Sequence, residues 1–161
     1  MIYRNKNKTL TLANDSFTNF TNLKRLDVKL DSELTGIVSE ITLDTFSGSS
    51  NSLERLNELN LSENWIFTIQ PKSFRSLCNL TCLKLSCNGL VSIEKYTFSG
   101  LMKLKYLYLK DNCIKTIEKG SFDDFKSTLA LLNLKNNSII IKNTSEFKSE
   151  YDLNSKLIIE I

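Results

Sequence analysis

Asn79-Leu80-Thr81-Cys82-Leu83-Lys84-Leu85-Ser86-Cys87-Asn88-Gly89-Leu90-Val91-Ser92-Ile93, with Phe98 five residues further on, returns almost position for position one period later. In the second copy the leucines are Leu104, Leu107 and Leu109, the amide is Asn112, the aliphatics are Ile114 and Ile117, and the ring is Phe122. Working outward, Phe17, Phe46, Phe74, Phe98, Phe122 and Phe147 lie 29, 28, 24, 24 and 25 residues apart. A unit of about two dozen residues cannot bury its apolar side alone, whereas stacked copies share one continuous core. The chain reads as a single solenoid domain over 1–161, about six coils long.

The spacing inside the unit gives the path of each coil. Leu53, Leu56 and Leu59 are three apart, but Leu61 follows after only two, and Asn64 comes next. A switch from period three to period two marks a strand entered from a coiled approach. Short parallel strands are expected at about 25–29, 58–62, 82–86, 106–110 and 131–135, with Leu59/Leu61, Leu83/Leu85, Leu107/Leu109 and Leu132/Leu134 pointing inward. This is the pattern of a leucine-rich repeat solenoid: a curved horseshoe segment, strands on the concave face, loops and short helical turns on the convex face. Asn64, Asn88, Asn112 and Asn137 form a structural ladder, because an amide both donates and accepts in a turn that leaves backbone groups unpaired. The phenylalanines, one per coil, are expected to stack as core. Six aliphatics and a ring at ~1.5–3 kcal/mol each do not offset ~1–2 kcal/mol for each backbone residue ordered, so one coil cannot stand alone.

The outer coils are less regular. Repeat phase assigns Ile2, Asn7, Leu12 and Phe17 to the inward Leu, Asn, Ile and Phe positions, and Leu157–Ile161 to the opening of a further strand. Both ends read as uncapped, as in a fragment of a longer protein. Val28 to Ile41 takes 13 residues where Leu61 to Ile69 takes eight, and further insertions fall near 48–51 and 126–128. Such insertions map to loops and leave strands in register.

Composition narrows the function classes. Apolar residues make up 41% and the net charge is +3, from 21 basic and 18 acidic residues, so there is no specific nucleic-acid signal. No apolar run reaches the ~18 residues of a membrane span, and no secretion signal opens the chain. Histidine is absent and the five glycines build no phosphate loop, which points away from an enzyme and from any cofactor or metal. Four cysteines, Cys78, Cys82, Cys87 and Cys113, share no repeat phase. Cys87 with Cys113 is the most plausible cross-coil pair, a zinc site matches no established spacing, and free thiols are the leading reading. Asn-x-Ser/Thr acceptors at Asn7, Asn14, Asn19, Asn60, Asn79, Asn136 and Asn143 are about twice what chance gives, favouring an extracellular or lumenal chain over a cytoplasmic one.

A solenoid presents a surface, so the candidate site is a face. Residues beside the inward leucines form three columns: Arg25, Glu58, Cys82, Tyr106, Leu131; Asp27, Asn60, Lys84, Tyr108, Asn133; and Lys29, Ser62, Ser86, Lys110, Lys135. Strands lie ~4.8 Å apart, so one ligand can touch a whole column. Tyr106 and Tyr108 beside Lys84, Lys110 and Lys135 are the candidate ligand-binding cluster, since rigid rings and cations carry interface energy. The plainer alternative is β-propensity with solubilising lysines. Trp65, where other coils have Gly89, Cys113 and Ser138, either contacts ligand or packs on Phe67.

The phrases Asn79-Leu80-Thr81-x-Leu83-x-Leu85-Ser86 and Phe98-Ser99-Gly100-Leu101-x-x-Leu104, with irregular coils of 28 and 29 residues, resemble the repeats of Toll-like receptor ectodomains over about residues 10–147. The resemblance implies the horseshoe ectodomain of a single-pass innate immune receptor, paired by a protein or by a microbial or damage-associated ligand. The membrane segment, signalling domain and cysteine-rich caps of that family have no counterpart in this chain. A secreted or matrix-associated structural repeat protein and an intracellular interaction scaffold are the alternatives.

Overall fold

A computed structural model of the chain describes residues 2–4, 10–12, 22–28, 39–42, 45–46, 53–140, 143–153 and 156–161. Its strands, in order, are β1 (Ile2–Arg4), β2 (Leu10–Leu12), β3 (Arg25–Asp27), β4 (Ser39–Ile41), β5 (Glu58–Asn60), β6 (Ile66–Ile69), β7 (Cys82–Lys84), β8 (Ser92–Ile93), β9 (Tyr106–Tyr108), β10 (Thr116–Ile117), β11 (Leu131–Asn133) and β12 (Ile158–Glu160). A single helix among the described residues, α1 (Thr144–Glu150), lies between the last two. Six strands form one sheet in the order β12-β11-β9-β7-β5-β3, every neighbouring pair parallel and in register. Each strand of this sheet comes from a successive coil of the solenoid, so six rungs are seen among the described residues. The intervening parts of the first coils, with Phe17 and Asp31, lie outside them.

Strands occur where expected but are three residues long rather than five. The residues beyond still continue the ladder: the Leu61, Leu85 and Leu109 N–H groups donate to the Lys84, Tyr108 and Asn133 carbonyls at 2.8 Å. Two residues later the backbone turns. Glu63, Cys87, Asp111 and Asn136, each just before a ladder asparagine, have φ of 58°, 55°, 55° and 56°. This left-handed step, unfavourable for side chains other than Gly and Asn, recurs once per coil and ends the extended run.

The leucines form the core as their spacing requires. Leu59, Leu61, Leu83, Leu85, Leu107, Leu109, Leu132 and Leu134 are all buried, as are Ile66, Leu90 and Ile114 on the way out of the turn. The asparagine ladder is a continuous network. Each Asn Nδ2 donates to its own coil and to the one before, so that the Leu61 carbonyl accepts from Asn64 (2.8 Å) and Asn88 (3.0 Å), Leu85 from Asn88 (3.0 Å) and Asn112 (2.9 Å), and Leu109 from Asn112 (3.0 Å) and Asn137 (2.9 Å). The Oδ1 atoms of Asn88, Asn112 and Asn137 accept from the Ile66, Leu90 and Ile114 N–H groups of the preceding coil at 3.0–3.1 Å.

A second polar ladder lies at the back of the coils. Thr45, Ser73, Thr97 and Ser121, each preceding a core phenylalanine, are buried. The Thr45 and Thr97 hydroxyls accept from the N–H groups of Thr42 (2.9 Å) and Glu94 (3.0 Å), while those of Ser73 and Ser121 donate to the Gln70 and Glu118 carbonyls. Each thus closes a tight four-residue turn.

Two expectations need correcting. The first concerns Ile2, phased as an inward strand leucine: β1 is not in the six-stranded sheet but runs antiparallel to β2, pairing Ile2 with Leu12. It belongs to the second sheet, β1-β2-β4-β6, whose parallel pair β4/β6 sets Ile41 opposite Ile69. The backbone there doubles back instead of advancing one coil. The second concerns the rings. Phe46 stacks on Phe74 (5.6 Å) and Phe74 on Phe98 (6.3 Å), but Phe98 then meets Phe125 edge-on at 6.3 Å, and Phe125 meets Phe122 at 6.1 Å. Phe125 occupies the position of Leu77 and Leu101, and its larger ring takes the space between successive phenylalanines. Tyr151 then joins Phe122 (5.6 Å) to Phe147 (4.6 Å), its hydroxyl donating to the Ile117 carbonyl at 2.7 Å.

The last coil carries α1. Asn143 caps it, its Oδ1 accepting from the Glu146 N–H at 2.7 Å, and Phe147 is buried against the core. Asn followed three residues later by Glu is a capping signal in the sequence itself. The segment Leu157–Ile161 forms the expected strand, β12, beside β11.

Candidate functional site

The face opposite the leucines is built by the strand register. Arg25, Glu58, Cys82, Tyr106, Leu131 and Ile158 align across six rungs, and Asp27, Asn60, Lys84, Tyr108, Asn133 and Glu160 align beside them. The first two expected columns are therefore real, each extended by one residue from β12. Lys29 lies outside the described residues, while Ser62, Ser86, Lys110 and Lys135 follow their strands.

Charge on this face is largely paired within it. Arg25 Nε lies 2.9 Å from Asp27 and its Nη1 lies 3.3 Å from Glu58, whose other oxygen sits 2.5 Å from Lys84 Nζ. The hydrogen bond from Arg25, then one from the Asn60 amide, holds the Asp27 carboxyl below its ordinary range. The hydrogen bond to Glu58 raises Lys84 above its own. Lys84, expected as a cation offered to ligand, is thus engaged in a chain running Asp27–Arg25–Glu58–Lys84. Lys110 lies 3.3 Å from Asp111. Lys135 makes no ion pair among the described residues, though its N–H donates to Asn133 Oδ1.

Tyr106 and Tyr108 sit on β9 as expected, Tyr106 42% exposed and Tyr108 half-buried, with Cys82 and Lys84 directly opposite. Burial raises the pKa of the Tyr108 phenol and of the half-buried Cys82 thiol. Trp65 lies between β5 and β6 rather than on one of the concave strands. It follows the turn at Asn64 and is 57% exposed. Phe67 lies instead over Gly89, where an added Cβ would come within 2.6 Å of its ring. Sequence reasoning named the tyrosines but missed Ile158, whose signal was the strand-like run at 157–161, and missed the partners that neutralise Arg25 and Lys84.

All four cysteines are free thiols, with Cys78, Cys87 and Cys113 exposed. Cys87 Sγ lies 3.7 Å from the Asp111 carboxylate, and burial, then that carboxylate's charge, raises the Cys87 pKa. No group of three or more potential metal ligands occurs among the described residues, and no helix there is long and apolar enough to cross a membrane.

The described acceptor asparagines are all hydrogen-bonded. Asn60 Oδ1 accepts from Ser62 N (3.1 Å); Asn79 Nδ2 donates to the Glu54 carbonyl (2.7 Å) while its Oδ1 accepts from Lys103 (2.7 Å). Asn136 Nδ2 donates to Asp111 (2.7 Å), and Asn143 caps α1. Asn7, Asn14 and Asn19 lie outside the described residues.

Leucine-rich repeat family models match residues 55–77 and 78–139. No curated protein matches the chain by sequence. Among solved structures, that of a TLR13–ssRNA13 complex is similar, with 29% identity over 80% of this chain and a TM-score of 0.63. The Toll–Spatzle complex of Drosophila is 25% identical over 74% of the chain, with a TM-score of 0.58. Its glycosylated form, 24% identical over 76% with a TM-score of 0.60, shares the fold. The chain spans only 17% and 16% of the receptor chains in the first two structures.

Proposed function

From the premise that the chain is a leucine-rich repeat solenoid resembling a segment of a Toll-like receptor ectodomain, we propose that it is the recognition segment of an innate immune receptor of that kind. It acts on the extracellular or lumenal side and takes ligand on its concave face. One observation carries the reading. The similarity to receptor ectodomains at 29% and 25% identity covers most of the chain, and over that length an in-register sheet holds an exposed tyrosine between an ion-paired half and an apolar half. The fold is one used for recognition rather than catalysis. TLR13 is described with single-stranded RNA and Toll with Spatzle; for this chain, pairing of two ectodomains by ligand and signalling through a membrane-anchored parent follow from the same reading.

The test is secretion from animal cells behind an added leader, with site-by-site glycan mapping. The proposal expects sugar on several of Asn7, Asn14, Asn19, Asn60, Asn79, Asn136 and Asn143, and a secreted, folded product. A chain that is retained and aggregated, or secreted with every acceptor bare, overturns it. One observation favours a second reading, an intracellular protein-interaction scaffold: four free thiols, three of them exposed, are the state expected in a reducing compartment. That reading expects an unmodified soluble protein in the cytoplasm that loses activity when oxidised.

A further inference from the structure

Asn88-Gly89 is the one Asn-Gly dipeptide in the chain, and the fold calls for both residues. The ladder requires the amide, whose Nδ2 donates to the Leu61 and Leu85 carbonyls at 3.0 Å and to that of Ser86 at 3.3 Å. Phe67 requires the glycine, because a Cβ at position 89 would come within 2.6 Å of the ring carbons Cδ1 and Cε1. The residues after Asn64, Asn112 and Asn137 are Trp65, Cys113 and Ser138. Of these four rungs, the one at Asn88 alone is followed by a residue without a Cβ. In a flexible chain that pair is self-reactive, since nothing on the glycine hinders its backbone nitrogen from reaching the side-chain carbonyl carbon before it.

In the folded coil a single residue of the preceding coil blocks the reaction. The Ile66 N–H donates to Asn88 Oδ1 at 3.1 Å, and the Ile66 carbonyl accepts from the Gly89 N–H at 2.9 Å. Ile66 is itself fully buried. One residue thus fixes the electrophile and keeps the proton on the nucleophile.

We propose that Asn88-Gly89 is a self-modification site, inert while its coil stays joined to that of Ile66 and reactive once the two part. On opening, Gly89 N gives up its proton and bonds to Asn88 Cγ. The Cγ–Nδ2 bond breaks, and Nδ2 leaves as ammonia with that proton. Water then opens the cyclic imide at one of its two C–N bonds, leaving aspartate or isoaspartate. Neither product lets the coil close as before. Aspartate has no N–H groups for Leu61 and Leu85 and sets a carboxylate against carbonyl oxygens. Isoaspartate adds one carbon to the main chain, so the Gly89 N–H no longer falls opposite the Ile66 carbonyl. A transient, reversible opening becomes a permanent weakening of the joint between two coils. This holds whatever partner the concave face takes.

The test incubates the full chain in mildly alkaline buffer, folded and in guanidinium chloride, and follows each asparagine by peptide mass mapping with isoaspartate detection. In denaturant Asn88 converts before Asn64, Asn112 and Asn137. In the folded chain its conversion is slower by at least about a hundredfold and rises with sub-denaturing guanidinium in step with exchange of the Gly89 amide hydrogen. Phe67→Ala/Gly89→Ala, which takes away the ring atoms nearest the added methyl group, removes the lead of Asn88 in denaturant. Chains carrying the converted residue, separated by their added charge, fail to refold or unfold at lower denaturant than the original. Equal rates in folded and denatured chain, earlier conversion of another ladder asparagine, an undiminished lead in the double variant, or an unchanged unfolding midpoint after conversion overturns the inference.

Discussion

Replacing Asn112 by Asp tests the central physical claim about this fold, that an amide ladder couples the coils. The change preserves shape and keeps one oxygen for the Leu90 N–H at 3.1 Å. It removes the two N–H groups that now reach the carbonyls of Leu85 at 2.9 Å and Leu109 at 3.0 Å. Neither carbonyl is orphaned, because Asn88 still donates to the first and Asn137 to the second. A neutral carboxyl keeps one O–H that can donate to one of the two carbonyls. The loss is therefore that of one to two hydrogen bonds at about 1 kcal/mol each, not the larger penalty of unsatisfied groups, giving about 1–2 kcal/mol with the carboxyl neutral. Ionisation adds to this. A carboxylate buried against carbonyl oxygens has its pKa raised in the folded state, so stability falls as pH rises through the unfolded carboxyl pKa and beyond. Urea unfolding followed by circular dichroism at about pH 4 and pH 7 should show a loss of about 1–2 kcal/mol at the lower pH and clearly more at the higher. Asn88→Asp, at a half-buried rung, should follow the same trend more weakly. A loss below about 0.5 kcal/mol at both pH values would remove the ladder from the account of stability.

Three further outcomes are expected. Gly100→Ala combines φ of +96° with a Cβ only 2.5 Å from the Arg75 Cα, so it should lower stability by about 2 kcal/mol or more; Gly120→Ala, with φ of +88°, meets only side-chain atoms of Asp123 and Lys95 and should be milder, and equal thermal midpoints for the two would refute the argument. Phe125→Leu restores the residue type of the two preceding coils but loses edge-on contacts to Phe98 and Phe122, so a destabilisation of about 1–3 kcal/mol in denaturant unfolding is expected, and a neutral result would show that the ring is dispensable. The Asp152 carboxyl is held below its ordinary range by the hydrogen bond from Lys126, then by its charge; its contribution is present above the unfolded carboxyl pKa and disappears as pH falls through the folded value. In a side-chain NMR titration its midpoint should move up in Lys126→Ala, and an unmoved midpoint would show that the pair is an incidental contact.

Residue order already determined a good deal. The leucine spacing placed five of the six concave strands and their inward side chains, because a period of two beside a buried core leaves one register for each strand. It also placed the asparagine ladder, since an Asn amide can both donate and accept at a buried turn. The run at 157–161 announced β12, and Asn143 with Glu146 carried the cap of α1. Other features needed the third dimension. The left-handed step at Glu63, Cys87, Asp111 and Asn136 has no common residue type, because it is imposed by closure of the coil rather than by local preference. Phe125 and Tyr151 entered the ring series through space that a one-dimensional period does not measure. The same holds for the concave face. Columns could be read from alternation, but the pairing of Arg25 with Asp27 and Glu58, and of Lys84 with Glu58, depends on side-chain reach between rungs. A sequence period fixes which residues share a wall; the distances between coils decide which of their charges remain free.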